Sequence, residues 1–113
     1  MLMEIKKCNS LSNNETIYEL SDNGQIVGGA KVEIINDVLL LKALYIKPEE
    51  RQKKFGTYLL NHIENDNKDN ISRIESDLLF FSDIGFENLI NFYEKSGYEY
   101  NIFKMVKKIS NES

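Results

Sequence analysis

The stretch YIKPEERQKKFGTYLLNHIE, residues 45–64, joins a strand-like run to a helix-like run. Pro48 ends the strand, because proline has no N–H group to donate to a β-ladder. After the loop, apolar and aromatic residues recur at the spacing of one helix face. They are Phe55, Tyr58, Leu59, His62 and Ile63. The stretch therefore predicts a strand, a short loop and an amphipathic helix in succession.

The loop between these elements concentrates positive charge in an acidic chain. Arg51, Lys53 and Lys54 precede the helix and Gly56 opens it, whereas the whole chain has a net charge of -4. A helix N-terminus offers unpaired N–H groups and the positive end of a dipole, so it binds phosphate readily. Glycine allows an anion to approach the backbone closely. Two interpretations stay open on these residues alone: a phosphate-binding site and a solvated basic turn.

Three β-rich runs precede the loop. ETIYEL (15–20) alternates apolar and polar residues as a half-buried strand does, and QIVGGAKVEII (25–35) and DVLLLKALYI (37–46) follow it. The dipeptide NG at 23–24 suits the positive φ angles of a tight hairpin, and ND at 36–37 joins the second run to the third. The three runs therefore predict an antiparallel meander.

Two further strand regions and a second helix follow the first helix. ISRIESDLLFF (71–81) reads as a strand, and one helix separates it from the run at 37–46, which predicts a parallel βαβ crossover. A second helical stripe begins at Phe86 and ends at Gly97, a favourable residue after a helix C-terminus. The segment 98–109 supplies the final strands. We therefore predict an α/β fold, a mixed sheet with an antiparallel meander, a parallel βαβ crossover and helices on both faces.

Length and composition set further bounds. We expect one domain over 1–113, with a short strand or turn at 1–14 and a frayed tail at 110–113. No apolar run reaches the length of a membrane span. Cys8 is the only cysteine, so a disulfide framework is excluded and a cytoplasmic location is expected. The acidic balance argues against a nucleic-acid partner, because no global positive field gathers phosphates.

Two motifs, in this order, resemble the Gcn5-related N-acetyltransferase (GNAT) superfamily. LYIKPEERQKKFGTYLL (44–60) is similar to its acetyl-CoA loop, in which a strand and a Pro-acidic turn precede the pattern Arg/Gln-x-x-Gly-x-Gly/Ala and a helix. NFYEKSGYEYNIFKMVKKI (91–109) is similar to a second hallmark, an aromatic-Tyr-Glu-Lys-x-Gly-aromatic segment followed by a strand with a basic tail. The resemblance covers residues 15–109 and implies a GNAT-like fold.

The resemblance implies acetyl-CoA as co-substrate and assigns residues to hold it. The end of the third run would bind the pantetheine arm through its backbone, and the N–H group of Leu44 or Tyr45 would polarise the thioester. Amides of the loop 52–57 would hold the diphosphate, and Asn88 near the start of the second helix is a further candidate. The implied cofactor-binding residues are Leu44, Tyr45, Ile46, Arg51, Gln52, Lys53, Lys54, Phe55, Gly56, Thr57 and Asn88.

The resemblance also implies catalytic residues, although the base stays open. Tyr93 stands where many members place the phenol that protonates the departing sulfur, and a simple core role is the alternative. The histone-acetylating branch carries a glutamate near the position of Leu40, so that base is absent here. The remaining base candidates are Glu33 and Glu75, with Asp77 beside the latter.

We expect an N-acetyltransferase that moves the acetyl group of acetyl-CoA to a primary amine, either a small amine or a protein lysine. No His, Cys or Asp cluster has metal-ligand spacing, so no metal is expected. The alternative is an acyl-CoA-binding or regulatory module without turnover, favoured by the absent base and by Lys54, where relatives carry glycine. The family usually has two helices before the meander, and residues 1–14 have room for neither. The acceptor side is therefore expected to be open, which favours a protein acceptor, or to be completed by a second subunit in a homodimer.

Overall fold

A computed structural model describes residues 3–9, 14–51, 54–77, 86–100 and 104–109. The strands are β1 (Met3–Asn9), β2 (Glu15–Asp22), β3 (Gln25–Ile35), β4 (Val38–Ile46), β5 (Arg73–Asp77), β6 (Glu99–Tyr100) and β7 (Lys104–Lys108). The helices are α1 (Phe55–Asn67) and α2 (Phe86–Lys95), and a short 3-10 turn, Pro48–Glu50, follows β4.

The strands form one sheet in the order β1-β2-β3-β4-β5-β7-β6. Neighbouring strands are antiparallel except for β4 and β5, which are parallel. This arrangement confirms the predicted mixed sheet, the antiparallel meander and the βαβ crossover. Residues 78–81 of the predicted fourth run, and 101–103 of the last one, lie outside the described part of the chain.

One face of the sheet carries the core. The pairing register places Tyr18 of β2 and Ser76 of β5 on the same face. Tyr18 contacts α1 through Asp66, and Ser76 contacts α2 through Tyr93, so both helices cover this face. The most deeply buried side chains are Tyr18, Leu20, Val32, Leu39, Leu59, Ile63, Ile71, Ile74 and Met105.

The position of the helices differs from the sequence prediction, which puts helices on both faces. α1 leads from β4 to β5 and α2 leads from β5 towards β6, and both steps cross the sheet in the same direction. Right-handed crossovers that progress in one direction lie on one face. We call the other side the open face, because no described helix covers it. Its side chains include Glu15, Ile17, Lys31, Glu33, Lys42, Tyr45 and Glu75.

A β-bulge changes the course of β4. Lys31 pairs with Ala43 whereas its neighbour Val32 pairs with Leu41, so Lys42 is the extra residue on β4. The described pairing of β4 with β5 ends at Leu41, and β4 itself continues to Ile46. Bulges bend a strand and often lie beside functional sites. The last part of β4, residues 44–46, therefore runs beyond its described pairing with β5.

Candidate functional site

Lys54 stands at the N-cap of α1 with a left-handed backbone. Its φ and ψ angles are 65° and 21°, and its side chain makes no capping hydrogen bond. The other non-glycine residues with positive φ in the described chain are all asparagines, which tolerate this region better than lysine. A glycine would adopt the conformation without strain. The structure therefore gives a physical reason for glycine in relatives: this position requires a positive φ.

Arg51 ties the loop to the end of β4. Its Nε donates a hydrogen bond to the carbonyl oxygen of Ile46 at 2.8 Å, and its guanidinium lies 5.4 Å from the centre of the Tyr45 ring. A planar guanidinium makes both contacts at once, which an ammonium does not. Arg51 thus fixes the loop as well as adding charge to it. Gln52 and Lys53, predicted to act beside it, lie outside the described residues.

The start of α1 faces a cavity of about 600 Å³. The Tyr58 N–H group donates a hydrogen bond to the carbonyl of the N-cap residue Lys54. The N–H groups of Gly56 and Thr57 lie in the turn before this bond, where backbone N–H groups have no acceptor within the helix. Cations stand at the cavity, and its other walls are largely apolar. The lining residues are Leu44, Tyr45, Ile46, Arg51, Lys54, Phe55, Gly56, Thr57, Leu89, Phe92, Tyr93 and Lys95. The structure therefore brings together the end of β4, the loop, the start of α1 and one side of α2.

Tyr93 closes one side of this cavity and is only 3% exposed. Its ring contacts Phe92 and Tyr98 edge to face, and Ser76 Oγ donates a hydrogen bond to its phenol oxygen at 3.1 Å. Burial raises the pKa of Tyr93 because it penalises the phenolate, whereas the hydrogen bond from Ser76 acts in the opposite direction. The phenol is therefore protonated at neutral pH, and it is both a core residue and a wall of the cavity.

The candidate bases lie on the open face. Glu33, Leu40 and Glu75 occupy matched positions on β3, β4 and β5, so the two glutamates flank Leu40, the position compared above with the glutamate of the histone-acetylating branch. Neither lines the cavity described above. Glu33 forms an ion pair with Lys42 at 3.1 Å. The side chain of Asp77 lies outside the described set.

Glu75 is held in its ionised form. Hydrogen bonds from Arg73 at 2.7 Å and from Lys104 at 3.2 Å lower its pKa, with Arg73 the larger cause. A carboxylate with a lowered pKa is a weaker base. Glu75 is therefore a weaker proton acceptor than a glutamate without these two partners.

The other residues considered from the sequence lie away from the cavity. Asn88 is exposed in the first part of α2 and is not a lining residue, so its contact with a cofactor stays a prediction. His62 is exposed and touches the Tyr18 ring edge to face. Cys8 is a free, exposed thiol on β1. Within the described residues, three or more His, Cys, Asp or Glu side chains nowhere gather as a metal site, and neither helix is long and apolar enough to span a membrane.

Sequence reasoning missed part of the site. Leu89, Phe92 and Lys95 line the cavity from α2 together with Tyr93, and the three recur at a spacing of three residues. This spacing along one side of α2 was a usable signal. Ser76 carried no comparable signal, because its partner is distant in sequence and becomes adjacent only when α2 packs on β5.

Comparisons with known proteins agree with this arrangement. The model of the acetyltransferase (GNAT) domain matches residues 13–100, well over half of the chain. The search of curated proteins found no match.

Many solved structures share the fold, and three illustrate it. The ribosomal-protein-S18-alanine N-acetyltransferase of Escherichia coli superimposes with a TM-score of 0.76 at 16% identity, over 90% of this chain and 74% of its own. The PaiA N-acetyltransferase of Thermoplasma acidophilum, in complex with coenzyme A, gives 0.73 at 27% identity, over 84% and 61%. The putative N-acetyltransferase YhhK of E. coli, bound to coenzyme A, gives 0.72 at 20% identity, over 88% and 75%.

These neighbours are longer than this chain, which spans 61 to 75% of their lengths. Two of them hold coenzyme A, which supports acyl-CoA binding by the shared fold. The domain match, the strand order and the cavity beside the start of α1 lead to the same assignment. The chain belongs to the GNAT superfamily of acetyltransferases.

Proposed function

We propose that this protein transfers the acetyl group of acetyl-CoA to a primary amine by direct attack. One observation carries the proposal: the end of β4, residues 44–46, lies beyond its described pairing with β5 and lines a cavity that Tyr93 closes and cations border. An acyl-CoA has an apolar arm with amide groups and an anionic diphosphate. The backbone of β4 suits the arm, and the loop with the start of α1 suits the diphosphate.

The chemistry requires a proton acceptor and a proton donor. A neutral amine attacks the thioester carbonyl carbon, a C–N bond forms, and the C–S bond breaks. The N–H group of Leu44 or Tyr45 would stabilise the charge on the carbonyl oxygen. The phenol of Tyr93 would give its proton to the leaving thiolate and recover one from solvent. The proton lost by the amine would leave to water or to Glu33.

The acceptor would approach from the open face. Tyr45, on the open face at the end of β4, is 54% exposed, and no described helix shields it. An open acceptor site suits an amine on a large molecule better than a small amine, which a site binds by enclosing it. We therefore propose a lysine side chain of a protein as the acceptor, with a free small amine as the other outcome of the test.

Two measurements test the function. Acetyl-CoA and coenzyme A should each raise the melting temperature, because a ligand that binds only the folded state stabilises it. Thiol release from acetyl-CoA should then accelerate with a lysine-containing peptide panel, and the products should carry one added acetyl group by mass spectrometry. A melting temperature that does not change with saturating acetyl-CoA or coenzyme A would exclude the proposal.

A second candidate function is acyl-CoA binding without turnover. It is favoured by the strained backbone at Lys54 and by the lowered pKa of Glu75, which leaves a weak base on that strand. Ligand-dependent melting combined with no thiol release on any acceptor would support it.

The cellular setting follows the sequence expectations. We propose a cytoplasmic protein, in which the exposed thiol of Cys8 stays reduced. A homodimer is a further proposal, and sedimentation at increasing concentration tests it.

A further inference from the structure

Apart from the tyrosines, Ser76 is one of two buried polar side chains among the described residues. The other, Asn67, donates to Tyr18 and to the backbone of Ile63, so it serves the packing of α1. Ser76 lies elsewhere, at the last described pair between β4 and β5, where it is matched with Leu41. It is therefore buried at the last described pair of these strands, and its partner Tyr93 lines the cavity.

The hydroxyl of Ser76 lies 3.1 Å from the phenol oxygen of Tyr93 and donates a hydrogen bond to it. Both groups are hydroxyls, and when Ser76 donates, the Tyr93 proton is not used in this contact. Tyr93 is also one of the residues that line the cavity. The pKa of Tyr93 is shifted by burial and by Ser76, and among the described residues no charged side chain adds to these two causes. Its titratable ring neighbour is Tyr98, whose pKa burial also raises, and Arg51, Lys54 and Lys95 line the same cavity.

We infer that Ser76 is a positioning residue that fixes the Tyr93 phenol and stabilises the phenolate left when the proton passes to the thiolate. The inference rests on the proposed acetyl transfer. When Tyr93 gives up its proton, the neutral hydrogen bond from Ser76 becomes one to a charged acceptor, and such bonds are shorter and stronger. The donor is already in place, so no reorganisation is needed during the reaction.

A double-mutant cycle tests the inference with the full chain. We expect Ser76→Ala to lower kcat about tenfold with little change in KM, and Tyr93→Phe to lower it more. If Ser76 acts through Tyr93, adding Ser76→Ala to Tyr93→Phe has no further effect. An equal loss in both backgrounds would overturn the inference, because a merely structural serine would weaken either enzyme alike.

The pH profile gives a second readout. Removing the Ser76 donor raises the pKa of Tyr93. The decrease of kcat at basic pH should therefore begin at a higher pH in Ser76→Ala than in the wild type. Ser76→Thr keeps a hydroxyl and should restore the wild-type profile. Ser72→Ala is the matched control, because Ser72 is a serine just before the same strand with only a weak backbone contact. A profile that does not move in Ser76→Ala argues against the inference.

A measurement without turnover separates this inference from the proposed function. The Tyr93 signal in the NMR spectrum of isotope-labelled tyrosine, assigned by its loss in Tyr93→Phe, should shift in Ser76→Ala and not in Ser72→Ala. If Ser76→Ala does not fold, Ser76→Cys replaces the hydroxyl with a weak donor of similar size. An unchanged Tyr93 signal overturns the inference even if acetyl transfer is confirmed, whereas a shifted signal without thiol release on any acceptor refutes only the proposed function.

Discussion

Phe92 fills the space that a side chain at Gly56 would occupy. A Cβ atom at Gly56 would lie 2.9 Å from Cζ of Phe92, closer than carbon atoms approach in a folded protein. Gly56 belongs to the first turn of α1 and Phe92 to α2, and both line the cavity. The glycine therefore sets the distance between the two helices at the cavity, in addition to any approach of a ligand to its backbone.

The first prediction follows from this contact. Gly56→Ala should lower the free energy of unfolding by about 1–3 kcal/mol, because the added methyl group displaces the Phe92 ring. It should also weaken coenzyme A binding, since Phe92 would move towards the cavity. Urea unfolding and calorimetric titration with coenzyme A measure the two effects.

Phe92→Ala supplies the control background. Without the ring, Gly56→Ala should become stabilising by about 0.5–1 kcal/mol, because alanine favours the helix over glycine. A change of sign between the two backgrounds identifies the ring as the cause. Destabilisation of equal size in both would show that the glycine is needed for another reason.

The second prediction separates strain from charge at Lys54. Lys54→Gly relieves a left-handed non-glycine backbone and should raise the free energy of unfolding by about 1 kcal/mol. Lys54→Met keeps the strained backbone and removes only the ammonium group. If the ammonium contacts the diphosphate, both variants should bind coenzyme A less tightly, and the salt dependence of binding should decrease in both.

Lys54→Asn is the matched control, since asparagine occupies the other left-handed non-glycine positions described in this chain. It should match Lys54→Gly in affinity and approach it in stability. Unchanged affinity in Lys54→Met would refute the diphosphate contact and leave Lys54 as a strained substitution.

Local patterns in the sequence predicted most of the fold. Alternation and turn residues gave the meander, and the change of period at Phe55 gave α1 and hence the parallel crossover. The common face of the helices was not predicted, because that property depends on the order of strands in the sheet. Strand order is set by the pairing of β7 between β5 and β6, and single-strand patterns do not encode this pairing.

The sequence likewise predicted only part of the candidate site. The loop and the end of β4 are continuous in sequence, so the motif contained them. The left-handed backbone at Lys54 agrees with the glycine of the family pattern at this position. Gly56 was expected to admit a ligand, whereas its closest constraint is the ring of Phe92. Ser76 was overlooked, because its importance comes from burial against Tyr93 and not from its neighbours in sequence.

The third prediction concerns the polar network that joins β2 to α1. The buried Tyr18 hydroxyl donates to Asp66 at 2.6 Å and accepts from Asn67 at 3.0 Å, and Lys7 pairs with Asp66 at 2.9 Å. Tyr18→Phe leaves the Asn67 amide without one acceptor, so it should cost about 1–3 kcal/mol in urea unfolding. Tyr58→Phe, at a half-exposed position on α1, is the control and should change stability little. Equal effects would show that the network adds no specific stability.

The fourth prediction uses the lowered pKa of Glu75. Arg73 and then Lys104 hold the folded pKa below its ordinary value of 4.5, so the unfolded state takes up a proton first as the pH falls. The stabilisation is therefore complete above that ordinary value and disappears as the pH falls through the folded pKa. Glu75→Gln should lower the free energy of unfolding by less than about 1 kcal/mol at neutral pH, because its partners are largely exposed.

The pH dependence of that loss is the decisive measurement. Glutamine resembles protonated glutamate, so the difference between wild type and Glu75→Gln should shrink towards zero as the pH drops below 4.5. Glu99→Gln, on the exposed edge strand β6, is the control and should show little difference at any pH. A stability difference between wild type and Glu75→Gln that persists at acidic pH would mean that packing, and not the two cations, explains the loss.

Glu75→Gln should also change kcat by less than about threefold, because a carboxylate held ionised is a weak base. Glu33→Gln should reduce kcat more.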